Sequence, residues 1–208
     1  GLQRKSAAVA IQTQQKLLAL GFKQALIKKV TVGKTGGPES AARKSRYQAL
    51  EQVRLETESD WIVLGHTLDD QAETVLLGLA RGSGARSLSG MSEVTGRLLR
   101  PLLSVSRKAT VQFCKDEQIR VWNDPHNKSL KFLRVRVRSK IIPFLEKHLG
   151  PGIALNLIRS ADQLRHDDDY LSAVAVNEFK KLAKTTSGSV SIEAVSYTHL
   201  TLPTNREV

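Results

Sequence analysis

A chain of 208 residues, 40% hydrophobic and 25% charged, can bury one proper core and a second small domain; with no run of roughly 20 apolar residues and no basic-then-apolar leader, it is expected to be cytoplasmic with no membrane partner. Lys and Arg number 32 against 20 Asp and Glu, a formal charge of +12 that favours a polyanionic partner through counterion release from phosphates. The single cysteine, Cys114, excludes an internal disulfide and a cysteine-ligated zinc site.

In chain order, Ser6 to Leu20 sets Ala7, Ile11 and Leu18 along one helical face, and Gly21 follows as the residue that ends the helix. Ala25 to Val32 reads as a strand. A chain that opens on a helix and then a strand is expected to have lost the strand of a βα unit before it. Gly33 to Glu39 is a surface turn rather than a phosphate loop, because its lysine precedes its glycines and the spacing fits no P-loop. From Ser40 the chain turns helical, with Arg43, Arg46 and Tyr47 on neighbouring turns; for these, solvent exposure is the plain reading.

Trp61 to Leu64 is a short apolar strand that breaks at Gly65, and helical spacing resumes at Val75, Leu76 and Leu79. Open α/β sheets are wound from strand, turn and helix, and bind ligands at the carboxyl ends of their strands. The corner between, with His66, Asp69 and Asp70, is therefore the place to look for chemistry. Asp70 with Glu73 makes an aspartate version of a capping box, which accounts for one carboxylate but not for Asp69 or His66. Two carboxylates at a helix N-terminus repel phosphate unless a divalent cation lies between, so the corner predicts a magnesium-bridged nucleotide.

Ala80 to Met91 is a loop past this helix, placed to fold back over a ligand. Pro101 marks a turn or edge strand, Ser106 to Asp116 a helix, and Arg120 to Trp122 a short extended piece. Helical spacing returns at Val137, Ile141, Phe144 and Leu145, with a kink expected at Pro143; Arg134 and Arg138 lie one turn apart while Arg136 points elsewhere. After Gly150-Pro151-Gly152 a long helix runs through Ile158 to Leu182. Its His166-Asp167-Asp168-Asp169 run is a solvated face, since consecutive helical residues diverge. Between Arg97 and Lys147 thirteen basic residues stand against four acidic ones, so the charge excess is local.

The pieces AARKSRYQAL (Ala41 to Leu50), GHTLDDQAET (Gly65 to Thr74), LARGSGARSLSGM (Leu79 to Met91), RPLL (Arg100 to Leu103), and DPHN followed by FLRVRVR (Asp124 to Arg138) resemble, in content and order, the bacterial tRNA(Ile)-lysidine synthetase family of PP-loop ATP-pyrophosphatases. The resemblance runs to about Leu149 and more loosely to Leu182. It implies a Rossmann-like α/β catalytic domain, ATP and Mg2+ as cofactors, and as substrates free L-lysine and an isoleucine tRNA with a CAU anticodon. ATP adenylates the carbonyl oxygen of the wobble cytidine, and the lysine amine displaces AMP. By matching position, the resemblance gives Asp69 and Asp70 to the metal and phosphates, with His66 and Arg81 at the catalytic centre. Gly65, Gly82, Ser83, Gly84 and Arg43 go to ATP, and Arg46, Arg100, Asn127, Arg134, Arg136 and Arg138 to tRNA, with Asp124 bracing the site.

Its domains would be 1–104 for the rest of the catalytic domain, 105–149 for a basic segment that completes it and contacts tRNA, 150–195 for a helical linker or the start of a substrate-binding domain, and 196–208 for a foreign tail. The family's Ser-Gly-Gly-x-Asp-Ser phosphate loop is expected upstream of residue 1, since Gly1-Leu2 resembles the end of the family's Asp-His-Gly-Leu strand. The 208 residues alone are accordingly expected to bind ATP poorly and to be inactive. Val135 stands where many relatives carry Asn. Two other readings stay open: a PP-loop tRNA thiolation enzyme, disfavoured by the single cysteine, and a non-catalytic RNA-binding module. The oligomeric state is open, a homodimer included.

Overall fold

The computed structural model describes residues 6–33, 38–124, 127, 129–186 and 189–192. They fall into two compact units, Gly1–Leu64 with Val94–Arg100, and Gly65–Glu93 with Pro101–Val208.

In the first unit, helix α1 (Ser6–Ala19) ends before Gly21, whose φ of +91° is the left-handed conformation that suits glycine past a helix end. Its apolar face is not buried: Ile11 and Leu18 are about half exposed. The strand expected over Ala25 to Val32 is absent, because residues 24–33 pair with no strand among the described residues. They make side-chain links to α2 (Pro38–Glu56) instead, where Lys28 forms an ion pair with Glu56 at 2.7 Å and the Ser45 hydroxyl donates to the Thr31 carbonyl. An extended run needs a neighbour for its N–H and C=O groups to count as a strand, and its own β-propensity does not supply one.

Strand β1 (Ile62–Val63) lies parallel to β3 (Leu98–Leu99), and β2 (Val94–Thr95) runs antiparallel to β3, giving the order β1-β3-β2. Gly96 opens the β2–β3 turn at φ +56°, the conformation that the first residue of a two-residue hairpin turn requires. Ala41, Ile62 and Arg100 are the buried residues of this unit. Helices outweigh a small mixed sheet, and the parallel β1–β3 pair gives the fold its α/β character.

The second unit begins at Gly65 and contains α3 (Leu68–Leu79), α4 (Ala85–Leu88), α5 (Arg107–Asp116), α6 (Leu133–Arg136), a π-helical turn (Val137–Ile141), α7 (Ile142–Leu149) and α8 (Ile153–Leu182). Helix α3 packs against α4, α8 and the π turn. Fully buried Ala72 on α3 and Ala161 on α8 are small enough to let helix axes come close, and Val75, Leu77, Leu103, Val135 and Val137 complete the core. Val135 is thus a core residue. The kink expected at Pro143 takes the form of the π turn just before it; a proline has no N–H for the usual bond, and the wider turn absorbs the break.

The 150–195 segment is not helical throughout. A hairpin of β4 (Ala183–Thr186) and β5 (Ser189–Ile192) follows α8, from a stretch whose Thr, Val and Ile content favours strands. The tail 196–208 and residues 34–37 of the Gly33 to Glu39 turn lie outside the described residues.

Candidate functional site

The N-terminus of α3 is capped three residues earlier than the Asp70 and Glu73 pair suggested. Thr67, in extended conformation, is the N-cap; its N–H and hydroxyl both meet Asp70 Oδ2 at 2.9 Å. This is a Thr-x-x-Asp capping box, which satisfies backbone donors that the helix leaves unpaired. The shift frees Glu73 from the cap, and its side chain is fully buried.

Around this turn, side chains from distant parts of the chain converge. Asp69 Oδ2 accepts the backbone N–H of Arg107, the first residue of α5, at 2.7 Å. Asp70 Oδ1 accepts Nη2 of Arg107 at 2.8 Å and Nη2 of Arg138 at 3.3 Å. Arg138 Nε donates to Glu73 Oε1 at 2.5 Å, while Glu73 Oε2 accepts no hydrogen bond and lies 3.9 Å from Arg134 Nη1. Arg134 also reaches the Thr74 hydroxyl at 3.4 Å.

Burial alone would raise the Asp70 pKa, but the Thr67 N–H and the Arg107 and Arg138 charges together hold it below the usual carboxylate range. Arg138 is pushed up: burial disfavours its charge, and the bond to Glu73 with the charges of Glu73, Asp70 and Asp69 more than offsets that. Both groups therefore stay charged at neutral pH.

Of the residues singled out in the sequence, Asp69, Asp70, Arg134 and Arg138 come together here. Gly65 and half-buried His66 lie on the turn that leads into the cap. Arg136 is turned away, its guanidinium donating to the Leu130 and Lys131 carbonyls, and Asn127 is exposed. Arg81, Gly82, Ser83 and Gly84 follow the other end of α3; twelve residues of helix put roughly 18 Å between the two ends. The structure does not bring that loop to the acidic turn. Three of the singled-out arginines belong to the first unit. Arg43 and Arg46 flank the Tyr47 ring at 4.9 and 5.5 Å, and buried Arg100 donates to the Thr95 hydroxyl.

Arg107, Glu73 and Thr67 were missed as members of the cluster. Thr67 was legible as the start of Thr-x-x-Asp, and Arg107 as the residue after the Ser106 cap, whose hydroxyl accepts from Ala109 N–H. Nothing in the sequence joins Arg107 to a residue 37 positions away. Gln71 was also missed: its side-chain amide pairs with both the N–H and C=O of Met91, at 2.7 and 2.8 Å, and Arg165 donates to the Ser89 and Met91 carbonyls. These bonds pin the loop after α4.

A magnesium ion needs carboxylate oxygens open to it. Asp70 gives one oxygen to the cap and the other to two guanidinium groups, and Asp69 gives one to a backbone N–H. No group of three or more His, Cys, Asp or Glu side chains among the described residues is arranged to hold a metal ion. As arranged, both oxygens of Asp70 and one of Asp69 are engaged, and three partly exposed guanidinium groups stand beside them.

Comparison with known proteins places this geometry. Curated relatives named tRNA(Ile)-lysidine synthase include that of Leifsonia xyli subsp. xyli, 49% identical over 194 residues (93% of this chain, 58% of the relative), and that of Nocardia farcinica, 46% identical over 196 residues (94% and 60%). The Thermobifida fusca protein of the same name is 49% identical over 175 residues (84% and 54%). The chain thus spans a little over half the length of these relatives. A solved structure, the U34-tRNA thiolase NcsA from Methanococcus maripaludis with its [4Fe-4S] cluster, superposes with a TM-score of 0.51 at 22% identity, over 64% of this chain and 46% of that one, a likeness of fold alone. The model of the PP-loop domain, an ATP-binding family, matches residues 2–145, well over half the chain, and with the acidic turn and the arginines around it inside that match, the chain belongs to the PP-loop domain family.

Proposed function

We propose that this chain carries a PP-loop domain of an enzyme that joins free lysine to the wobble cytidine of a CAU-anticodon isoleucine tRNA at the expense of ATP. The observation that carries this reading is 46–49% identity, across most of the chain, to proteins named for that reaction. ATP activates the base carbonyl oxygen as its adenylate, and the lysine amine then displaces AMP.

The roles follow the sequence reading where the geometry supports them. Gly65 has neither a positive φ nor any atom within 4 Å of where a Cβ would stand, so the chain itself makes no demand for glycine there. Its exposed backbone is open to close approach by a ligand, which suits ATP beside His66. Arg43 and Arg46 are exposed, with charge to offset phosphates, and the 105–149 segment offers its basic face to tRNA. Magnesium enters with the nucleotide phosphates rather than on Asp69 and Asp70.

The Ser-Gly-Gly-x-Asp-Ser run is not among these 208 residues, so the test joins the chain to the segment of a relative that carries it. Labelled lysine is expected to enter the tRNA with ATP present, and the 208 residues alone are expected to give none. A folded joined protein that attaches no lysine would refute the reading. The thiolation alternative gains nothing from the fold likeness, since Cys114 alone cannot hold a cluster.

A further inference from the structure

Asp70 and Glu73 stand three residues apart on α3, hence on one side of the helix. Onto that side come three guanidinium groups, those of Arg107 at the start of α5, Arg134 in α6 and Arg138 in the π turn. These three charges meet the two carboxylates, and Asp69 is close enough to act on Arg138 as well. Their side chains remain 32%, 46% and 32% exposed, whereas Glu73 is fully buried beneath them. A buried ion pair adds little net stability over apolar packing, so stability alone does not account for it. What the arrangement does confer is anchorage: each guanidinium is tied to a carboxylate and stays partly exposed to solvent. A guanidinium has five donors in a rigid fork that matches phosphate oxygens. The cluster also lies within the stretch from Arg97 to Lys147, where thirteen basic residues oppose four acidic ones, a field suited to a polyanion more than to a single small anion.

We propose that Asp70 and Glu73 are positioning residues rather than metal ligands, and that they hold Arg107, Arg134 and Arg138 as a preset cluster for the phosphodiester backbone of RNA. The proposal rests on the RNA-substrate reading above and adds to it a member, Arg107, and a division of labour: carboxylates below set the direction, guanidiniums above make the contact.

The test measures binding of an isoleucine tRNA transcript to the whole chain across a salt series, with and without magnesium, beside thermal melts. Arg107→Ala should weaken binding about tenfold and reduce the slope of log affinity against log salt by about one, with folding kept. Arg107→Lys should keep the slope and recover only part of the affinity, because a point charge replaces the fork. Asp70→Asn is the sharper variant. It removes a negative charge, so a merely electrostatic surface would bind RNA more tightly, whereas a positioning role predicts binding weaker by about threefold or more. If Asp70→Asn does not fold, the two Arg107 variants decide.

Unchanged affinity and slope in Arg107→Ala overturns the proposal, as does tighter binding by Asp70→Asn or a defect in it that disappears when magnesium is withheld. Loss of ATP binding on Arg107→Ala in the chain joined to a relative's phosphate-loop segment, with tRNA binding intact, would assign the cluster to nucleotide phosphates and overturn the RNA assignment. Failure of lysine attachment while these binding results hold would sink the reaction reading and leave the cluster standing.

Discussion

At the scale of single residues, the acidic turn shows how one shift in register changes a role. Asp70 is the third helical residue, not the cap, and so it carries both the capping bond from Thr67 and two ion pairs. Its folded pKa is lowered, so the stability it lends is complete above the ordinary carboxylate pKa of about 4 and is lost as pH falls through the lowered value. Melting temperature followed below about pH 4 should therefore fall more steeply in the wild-type chain than in Asp70→Asn. Equal slopes would show that Asp70 contributes nothing to acid sensitivity.

Gly90 makes a second residue-level case. Its φ is +68°, and a Cβ would stand 2.8 Å from Gln71 Oε1, the atom that accepts Met91 N–H. Gly90→Ala should cost about 2–3 kcal/mol in urea unfolding, from backbone strain plus the displaced Gln71 amide. Neither the positive φ nor the Gln71 partnership was visible in the sequence, where Ser89-Gly90-Met91 read as an ordinary loop end.

At the scale of elements, helices were more legible than strands, although Trp61 to Leu64 read as a strand and holds β1. Apolar spacing of three and four marks α1, α2, α3, α5 and α8 because a helix satisfies its own backbone within one segment. A strand needs a partner elsewhere in the chain, so Ala25 to Val32 looked like one and is not, while Leu98–Leu99 is one with little to announce it. The β2–β3 hairpin did carry a signal, Gly96 between Val94-Thr95 and Leu98-Leu99.

Helix starts hold a further surprise in Glu146, whose carboxylate accepts the N–H groups of Gly152 and Ala154 across the break before α8. The Ala154 bond leads in holding its pKa down, against the opposing effect of desolvation and with help from Gly152 and Ile153. Glu146→Ala should therefore speed amide exchange at residues 152–154 while exchange in the middle of α8 is unchanged. Uniform loss of protection along α8 would mean that Glu146 supports more than its first turn.

At the scale of the whole molecule, the ordered motifs of the PP-loop resemblance were the most legible feature, since five short pieces in register are independent of any one structural assignment. The two compact units were not legible. The chain leaves the first at Leu64, returns for Val94–Arg100 and leaves again, and no composition shift marks those crossings. The charge of +12 is a whole-molecule property, yet its excess is local to the stretch from Arg97 to Lys147.

The most direct measurement is the mass of the wobble nucleoside from a CAU-anticodon isoleucine tRNA, digested after incubation with ATP, lysine and the chain joined to a relative's phosphate-loop segment. The account predicts cytidine carrying lysine, formed only when both ATP and lysine are supplied. Unmodified cytidine from a folded protein that binds the tRNA, or a sulfur-bearing nucleoside in its place, would contradict it.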